Sequence, residues 1–233
     1  MIKVSIAENL EEVEKRISAA AKRSGRKRED ITLVAVTKTH PAEMMNEAIK
    51  LGVTDIGENK PQEVRDKYDS VLPVKWHLIG HLQTNKVRQI VDKVDLIQSV
   101  DSLKLASEIS KQSLKIGKKT DVLVEVNIGR EENKSGVVPE QLDELLCQIA
   151  DLEGISVKGL MSIPPICDNT HKISKYFDNM RNIFIDISSK KLDNISMTIL
   201  SMGMSADYYE AILEGATMVR VGSSLFGARD YSK

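Results

Sequence analysis

Eight short apolar runs rich in β-branched residues recur along the chain, and the spacing between them limits its fold more than any other feature. They are ITLVAVTK (31–38), TDIGEN (54–59), VKWHLIG (74–80), DLIQSVD (95–101), DVLVEVNI (121–128), SVKGLMSIP (156–164), ISMTILSMG (195–203) and MVRVGSSLFG (218–227). The connections are too long for hairpins, and several carry a helical period or composition: AEMMNEAIKLG, DSLKLASEISKQSLKIG, PEQLDELLCQIADLEG and ISKYFDNMRNIFIDISSKK. Strands joined by crossovers of this length run parallel. Eight such units favour an α/β chain closed into a single (β/α)8 TIM barrel, with an open doubly wound sheet as the alternative. An amphipathic segment precedes the pattern, with Asn9 as N-cap, Leu10, Val13, Ile17 and Ala20 or Ala21 at helical spacing, and an end near Ser24. No linker or low-complexity tract divides the chain, so residues 1–233 read as one domain.

Composition narrows the function classes. Lys and Arg number 33 against 34 Asp and Glu, a formal net charge of -1, which argues against a nucleic-acid or membrane-surface partner. The two cysteines, Cys147 and Cys167, lack metal-ligand spacing and are expected as reduced thiols. The chain opens without an apolar stretch of signal-peptide length, and no window approaches the roughly 18 apolar residues of a membrane span, so a cytoplasmic location is expected. His77 and His81 have a spacing that suits zinc on a helix, yet Gly80 puts them at a strand end, and no metal is expected there.

In a (β/α)8 barrel ligands meet the carboxyl ends of the strands, so the polar residues closing each run carry the chemistry. Lys38 closes the first. It alternates with Val34 and Val36, and if those point inward its amine enters the barrel mouth. Such a lysine snorkels to solvent, pairs with a carboxylate, or forms an imine with a carbonyl compound. The last option requires desolvation or a cationic neighbour, because at pH 7 only about one ordinary lysine amine in a few thousand is neutral. The runs closing strands seven and eight, LSMGMSAD (200–207) and RVGSSLFG (220–227), place Ser201, Gly203 and Ser205 opposite Gly222, Ser223 and Ser224. Small residues at tight turns explain either loop alone; both together, after these two strands, suit a phosphate. Arg220 shares a strand face with Gly222, and a guanidinium inside the barrel requires either a ligand acceptor or an internal carboxylate such as Glu125 or Glu58.

An imine-forming amine, a phosphate cup and an inward arginine describe a site for a phosphorylated aldehyde, and pyridoxal 5′-phosphate (PLP, the vitamin B6 cofactor) fits. The stretches LVAVTKTHP, GENKPQE, WHLIGHLQTNK, QSVDS, VEVNIGREENKSG, GLMSIPP and LSMGMSADYYEAILEGATMVRVGSSLFG resemble, in register and over essentially the whole chain, the pyridoxal phosphate homeostasis (YggS/PROSC) family. That family has one barrel similar to the N-terminal domain of alanine racemase, the type III fold among PLP proteins. The resemblance implies that Lys38 carries the PLP as a Schiff base. It further implies that Ser201, Gly222 and Ser223 hold the phosphate with the Met202 and Gly203 backbone close by, and that Arg220 meets the pyridine nitrogen. Asn59 would lie near the ring, and Lys134 would add a cation at the mouth. Apart from the resemblance, Met161 and Met202 end inward strands and either fill core gaps or line the ring. Lys60 stands where an aromatic is frequent in the family, and Ser223 where threonine is usual.

An arginine at the pyridine nitrogen disfavours its protonation and hence carbanion chemistry. Alanine racemase works with an arginine by adding a tyrosine base from across a dimer. Here Tyr208 and Tyr209 follow the phosphate loop, Tyr231 is near the terminus, and Tyr68 and Tyr176 fall in outer helices. The sequence therefore favours a monomeric PLP carrier in intracellular PLP homeostasis, with little or no turnover and with apo-PLP enzymes as possible recipients. A racemase-like or lyase enzyme is the runner-up. A cofactor-free Schiff-base aldolase is a third class, disfavoured because the first strand lacks acid and base neighbours.

Overall fold

A computed structural model describes residues 5–167 and 169–227. Eight parallel strands pair in sequence order and close on themselves: β1 (Thr32–Val36), β2 (Asp55–Glu58), β3 (Lys75–Leu78), β4 (Leu96–Val100), β5 (Thr120–Val126), β6 (Ile155–Ser162), β7 (Ile195–Met204) and β8 (Met218–Val221). β8 returns to pair with β1, as Thr32 opposite Met218 and Val34 opposite Arg220, which leaves no sheet edge. The closed barrel, rather than the open sheet, is the arrangement adopted.

Around it lie α1 (Ile6–Arg23), α2 (Ala42–Lys50), α3 (Pro61–Lys67), α4 (Leu103–Lys115), α5 (Pro139–Ile149), α6 (Thr170–Ser189), α7 (Tyr208–Leu213) and α8 (Ser223–Phe226). The segment between β3 and β4 forms only a 3-10 turn, Thr84–Gln89. α1 starts earlier than the sequence suggests. Ser5, not Asn9, is the N-cap, its hydroxyl accepting from the Glu8 amide at 3.2 Å. Asn9 lies inside the helix and donates from Nδ2 to the Leu225 carbonyl at 2.8 Å, tying α1 to α8. Tyr231 lies outside the described residues.

Strand alternation sorts side chains into two cores. The outward faces pack with the helices, through residues such as Leu33, Ala35, Ile56, Leu78, Val122 and Val219. The inward faces build a smaller apolar layer of Val34, Leu96, Leu123, Met161 and Met218, with Ile199 against it. β2 and β3 add no apolar residue to that layer; the buried Asp55 and His77 stand there instead. Among the described residues no helix is long and apolar enough to cross a membrane, and Cys147 and Cys167 are both free.

Candidate functional site

Above the apolar layer, at the carboxyl ends of the strands, a cavity of about 480 Å³ brings together Lys38, Asn59, Lys134, Arg220, Gly222 and Ser223. Six of the ten residues expected at the site therefore share one space. Its wall also includes Ser205, which the sequence places in the phosphate-suited loops, Glu125, and His81, Ser135 and Met204, which the sequence reading did not carry into the site.

Lys38 sits in a turn just beyond β1, closed by the His40 amide donating to the Thr37 carbonyl at 3.0 Å. Thr39, the third residue of that turn, has φ +67°, the left-handed region that a β-branched residue rarely enters. Its cost is met by α3. Glu63 accepts the Thr39 amide at 2.7 Å, and Lys67 bridges Glu63 at 2.8 Å, Glu58 at 2.9 Å and the Thr37 carbonyl at 3.3 Å. Thr37 donates its hydroxyl to Glu58 at 2.7 Å. Burial pushes the Glu58 carboxyl up to about 7 against the pull of Lys67, whereas for Glu63 the bonds from Lys67 and Thr39 outweigh burial and hold it below the usual range. The turn that presents Lys38 is thus braced from beneath by a partly buried ionic cluster.

The contribution of β7 differs from the one expected. That strand runs on through Met204, so Met204, Ser205 and Ala206 reach the cavity, and Ser201, Met202 and Gly203 do not. Met202 is buried among the outward-facing core residues. Gly203 has φ +90°, and a Cβ there would come within 2.5 Å of the Ala211 side chain, so its lack of a side chain lets β7 and α7 touch. Ser201 is fully buried; its hydroxyl donates to Gln98 Oε1 at 2.7 Å and accepts from Arg220 Nη1 at 2.5 Å. Met161 belongs to the apolar layer below and does not line the cavity. Ser205 takes the place expected of Ser201: its oxygen accepts the Gly222 amide at 3.1 Å and the Ser224 amide at 3.4 Å, where the β7 and β8 loops converge. Gly222 keeps that corner open, since a Cβ on it would meet the Val36 carbonyl at 3.3 Å.

Arg220 is 3% exposed, and its acceptors are neutral: Ser201 and, at 2.9 Å from Nη2, the Ser162 carbonyl. Neither Glu125 nor Glu58, the carboxylates suggested for it, lies within ion-pair distance among the described residues. Burial lowers the guanidinium pKa to about 10, which leaves it charged near neutrality. Glu125 faces the cavity with its carboxyl raised to about 7 by burial and by the neighbouring Asp101, against the influence of Arg220. Lys134 and Ser135 are brought over the mouth by the loop after β5, where Asn127 donates to the Glu131 carbonyl at 2.8 Å and accepts its amide at 3.1 Å. Three cationic side chains thus surround one carboxyl that burial drives toward neutrality, a field suited to an anion. His77 lies inside the barrel against Asp55 and Gln98, whereas His81 lies at the mouth, 3.5 Å from Asp101.

The amine beyond β1, the hydroxyl-and-amide corner after β7 and β8, and the buried guanidinium line one cavity at the carboxyl ends of the strands, the ligand face of a (β/α)8 barrel. The family described as "Alanine racemase, N-terminal domain" matches residues 8–230. A pyridoxal phosphate homeostasis protein of Aquifex aeolicus (strain VF5) is 42% identical over 98% of this chain and 100% of that protein. One from Escherichia coli (strain K12) is 40% identical over 98% of each. Among solved structures, PipY of Synechococcus elongatus PCC7942 with PLP bound superposes with a TM-score of 0.83 at 31% identity, covering 96% of this chain and 100% of PipY. The chain belongs to the alanine racemase N-terminal domain family, in its branch of pyridoxal phosphate homeostasis proteins.

Proposed function

We propose that this protein binds PLP in its barrel mouth and serves intracellular PLP homeostasis as a carrier with little or no turnover. The observation that carries the reading is the meeting, in one cavity, of Lys38, the Ser205–Gly222–Ser223 corner and Arg220. PLP presents an aldehyde, a dianion and a pyridine nitrogen, and each has a counterpart there. The volume of about 480 Å³ is of the size that small-molecule sites have. PLP would supply an aldehyde carbon there, and Lys38 is the amine placed to hold it. The Ser205 and Ser223 hydroxyls would hold the phosphate beside Gly222; Arg220, a donor only, would serve the ring nitrogen and disfavour its protonation; Asn59 and Lys134 would stand at the mouth. The names of the homologous proteins and the PLP bound in PipY support this reading.

Little turnover follows from what the residues offer. A guanidinium at the ring nitrogen weakens the electron sink that carbanion chemistry needs. Among the described residues no tyrosine lines the cavity. The protein works as a monomer in the cytoplasm and passes PLP to apo-enzymes that require it; transfer to an apo-enzyme faster than spontaneous release tests that role. A second reading has one observation in its favour. Glu125 lines the cavity with a carboxyl near 7, a value suited to a general base. Were it a working base, amino acids incubated with the PLP-loaded protein in deuterium oxide would exchange their Cα hydrogen rapidly. The carrier reading predicts exchange no faster than with free PLP, and robust racemisation or exchange lost in Glu125→Gln would replace it with an enzyme.

A further inference from the structure

A single file of hydrogen bonds crosses the barrel interior beneath the cavity. Arg220 on β8 donates to Ser201 on β7 at 2.5 Å; Ser201 donates to Gln98 Oε1 on β4 at 2.7 Å; Gln98 Nε2 meets His77 Nδ1 on β3 at 2.9 Å; His77 Nε2 meets Asp55 Oδ1 on β2 at 3.0 Å. All five side chains are at most 7% exposed. Asp55 also borders a polar recess with Arg28, Thr54 and Lys75 at the opposite end of the barrel, so the file runs from one face to the other.

Its direction is forced. A guanidinium has donors only, so the Ser201 oxygen must accept from Arg220 and turn its proton to Gln98. The Gln98 oxygen is then the acceptor, which turns its amide nitrogen toward His77. His77 therefore accepts at Nδ1 and carries its proton on Nε2, aimed at a carboxylate that can only accept. The Thr54 hydroxyl also donates to Asp55 at 2.7 Å, and these bonds outweigh burial to keep Asp55 below the usual carboxylate range. Every link is satisfied in this one orientation, and reversing any of them sets a buried donor against a donor or an acceptor against an acceptor.

We infer that Asp55, His77 and Gln98 are positioning residues for Arg220: through Ser201 they lock the orientation of its guanidinium and thereby set how the cavity distinguishes a ring nitrogen from a ring carbon. This rests on PLP as the ligand proposed above. With Nη1 held by Ser201 and Nη2 by the Ser162 carbonyl, rotation of the guanidinium is opposed at both ends, while Arg220 still lines the cavity. Gln98 has little other work. Among the described residues its only further side-chain hydrogen bond is from Nε2 to the Met218 sulfur at 3.2 Å, and an amide in a fully buried strand position is otherwise a poor choice against the neighbouring leucines and valines.

The test uses Gln98→Met, which breaks the file while filling similar volume and leaving no new charge. In the protein without PLP, nitrogen-15 spectra should show His77 protonated at Nε2 alone and slowly rotating Arg220 Nη groups. In Gln98→Met, with unchanged far-ultraviolet circular dichroism, the Arg220 signals should merge. Affinity is then compared between PLP and its phosphorylated salicylaldehyde analogue, which has carbon in place of the ring nitrogen. The wild type should prefer PLP by about tenfold or more, and Gln98→Met should lose most of that preference. Should Gln98→Met not fold, Ser201→Ala receives the same measurements. An Nδ1–H tautomer in the wild type, or slow Arg220 rotation and an intact preference in the folded variant, overturns the inference. A wild type that takes up neither compound rejects PLP as the ligand, and the Arg220 and His77 signals still decide whether the file exists.

Discussion

The Thr39 amide donates to the Glu63 carboxylate at 2.7 Å, so a residue of α3 holds the backbone immediately after Lys38 in the left-handed region. The geometry of the turn that carries Lys38 is therefore set by a neighbouring βα unit as well as by its own strand. Glycine enters the left-handed region without the steric cost that threonine meets. Thr39→Gly should raise the stability of the protein by about 1 kcal/mol, seen as a higher denaturation midpoint. Glu63→Ala should act in the opposite direction on function, weakening PLP binding by about tenfold while the barrel stays folded, because the turn loses its brace. An unchanged dissociation constant in Glu63→Ala would show that the turn holds its shape alone.

Ser201 and Ser205 separate two roles that the sequence assigns to one residue. Ser201→Ala leaves a buried Arg220 donor without its acceptor and should cost about 2 kcal/mol of stability, with the phosphate corner intact. Ser205→Ala removes a hydroxyl from the corner itself and should weaken binding of PLP far more than that of pyridoxal, which lacks the phosphate. Equal loss for both ligands in Ser205→Ala would place the phosphate elsewhere.

Glu125 gives the stability a pH dependence with a definite sign. Its folded pKa of about 7 lies above the ordinary 4.5, so the folded state binds this proton more tightly than the unfolded chain does. The resulting stabilisation is complete below about pH 4.5, shrinks as pH rises toward 7, and is gone above it. Glu125→Gln abolishes that contribution. Its stability relative to the wild type should therefore rise between pH 4.5 and 7 by on the order of 3 kcal/mol and level off beyond, in urea titrations at a series of pH values. A difference that stays flat across this range would mean that Glu125 titrates normally.

What could be read from the sequence follows from periodicity. Apolar runs with long crossovers specify parallel strands, and alternation through Leu33, Val34, Ala35 and Val36 puts Lys38 on the inward face, so the barrel and its amine were both legible. Ser205 rather than Ser201 lines the cavity because Gly203, which reads as the end of a strand, is not one. In the fold it lies within β7, where its missing side chain admits α7, and the loop begins with Ser205. Glu63 and Lys67 sit in a short polar helix whose sequence gives no hint that it reaches under the first loop. The Asp55–His77–Gln98 file is likewise invisible one strand at a time, since each polar residue acquires its partner only when five strands close into a ring. Its one sequence signal is polar residues at inward positions of β2, β3 and β4.

The central claim is that Lys38 is the amine that carries PLP. Loading the purified protein with PLP, reducing it with borohydride and mapping the peptides by mass spectrometry tests this directly. The account predicts one phosphopyridoxyl group, on Lys38, and no imine absorbance in Lys38→Ala. A label on another lysine, or a Lys38→Ala protein that keeps the imine band, would contradict it.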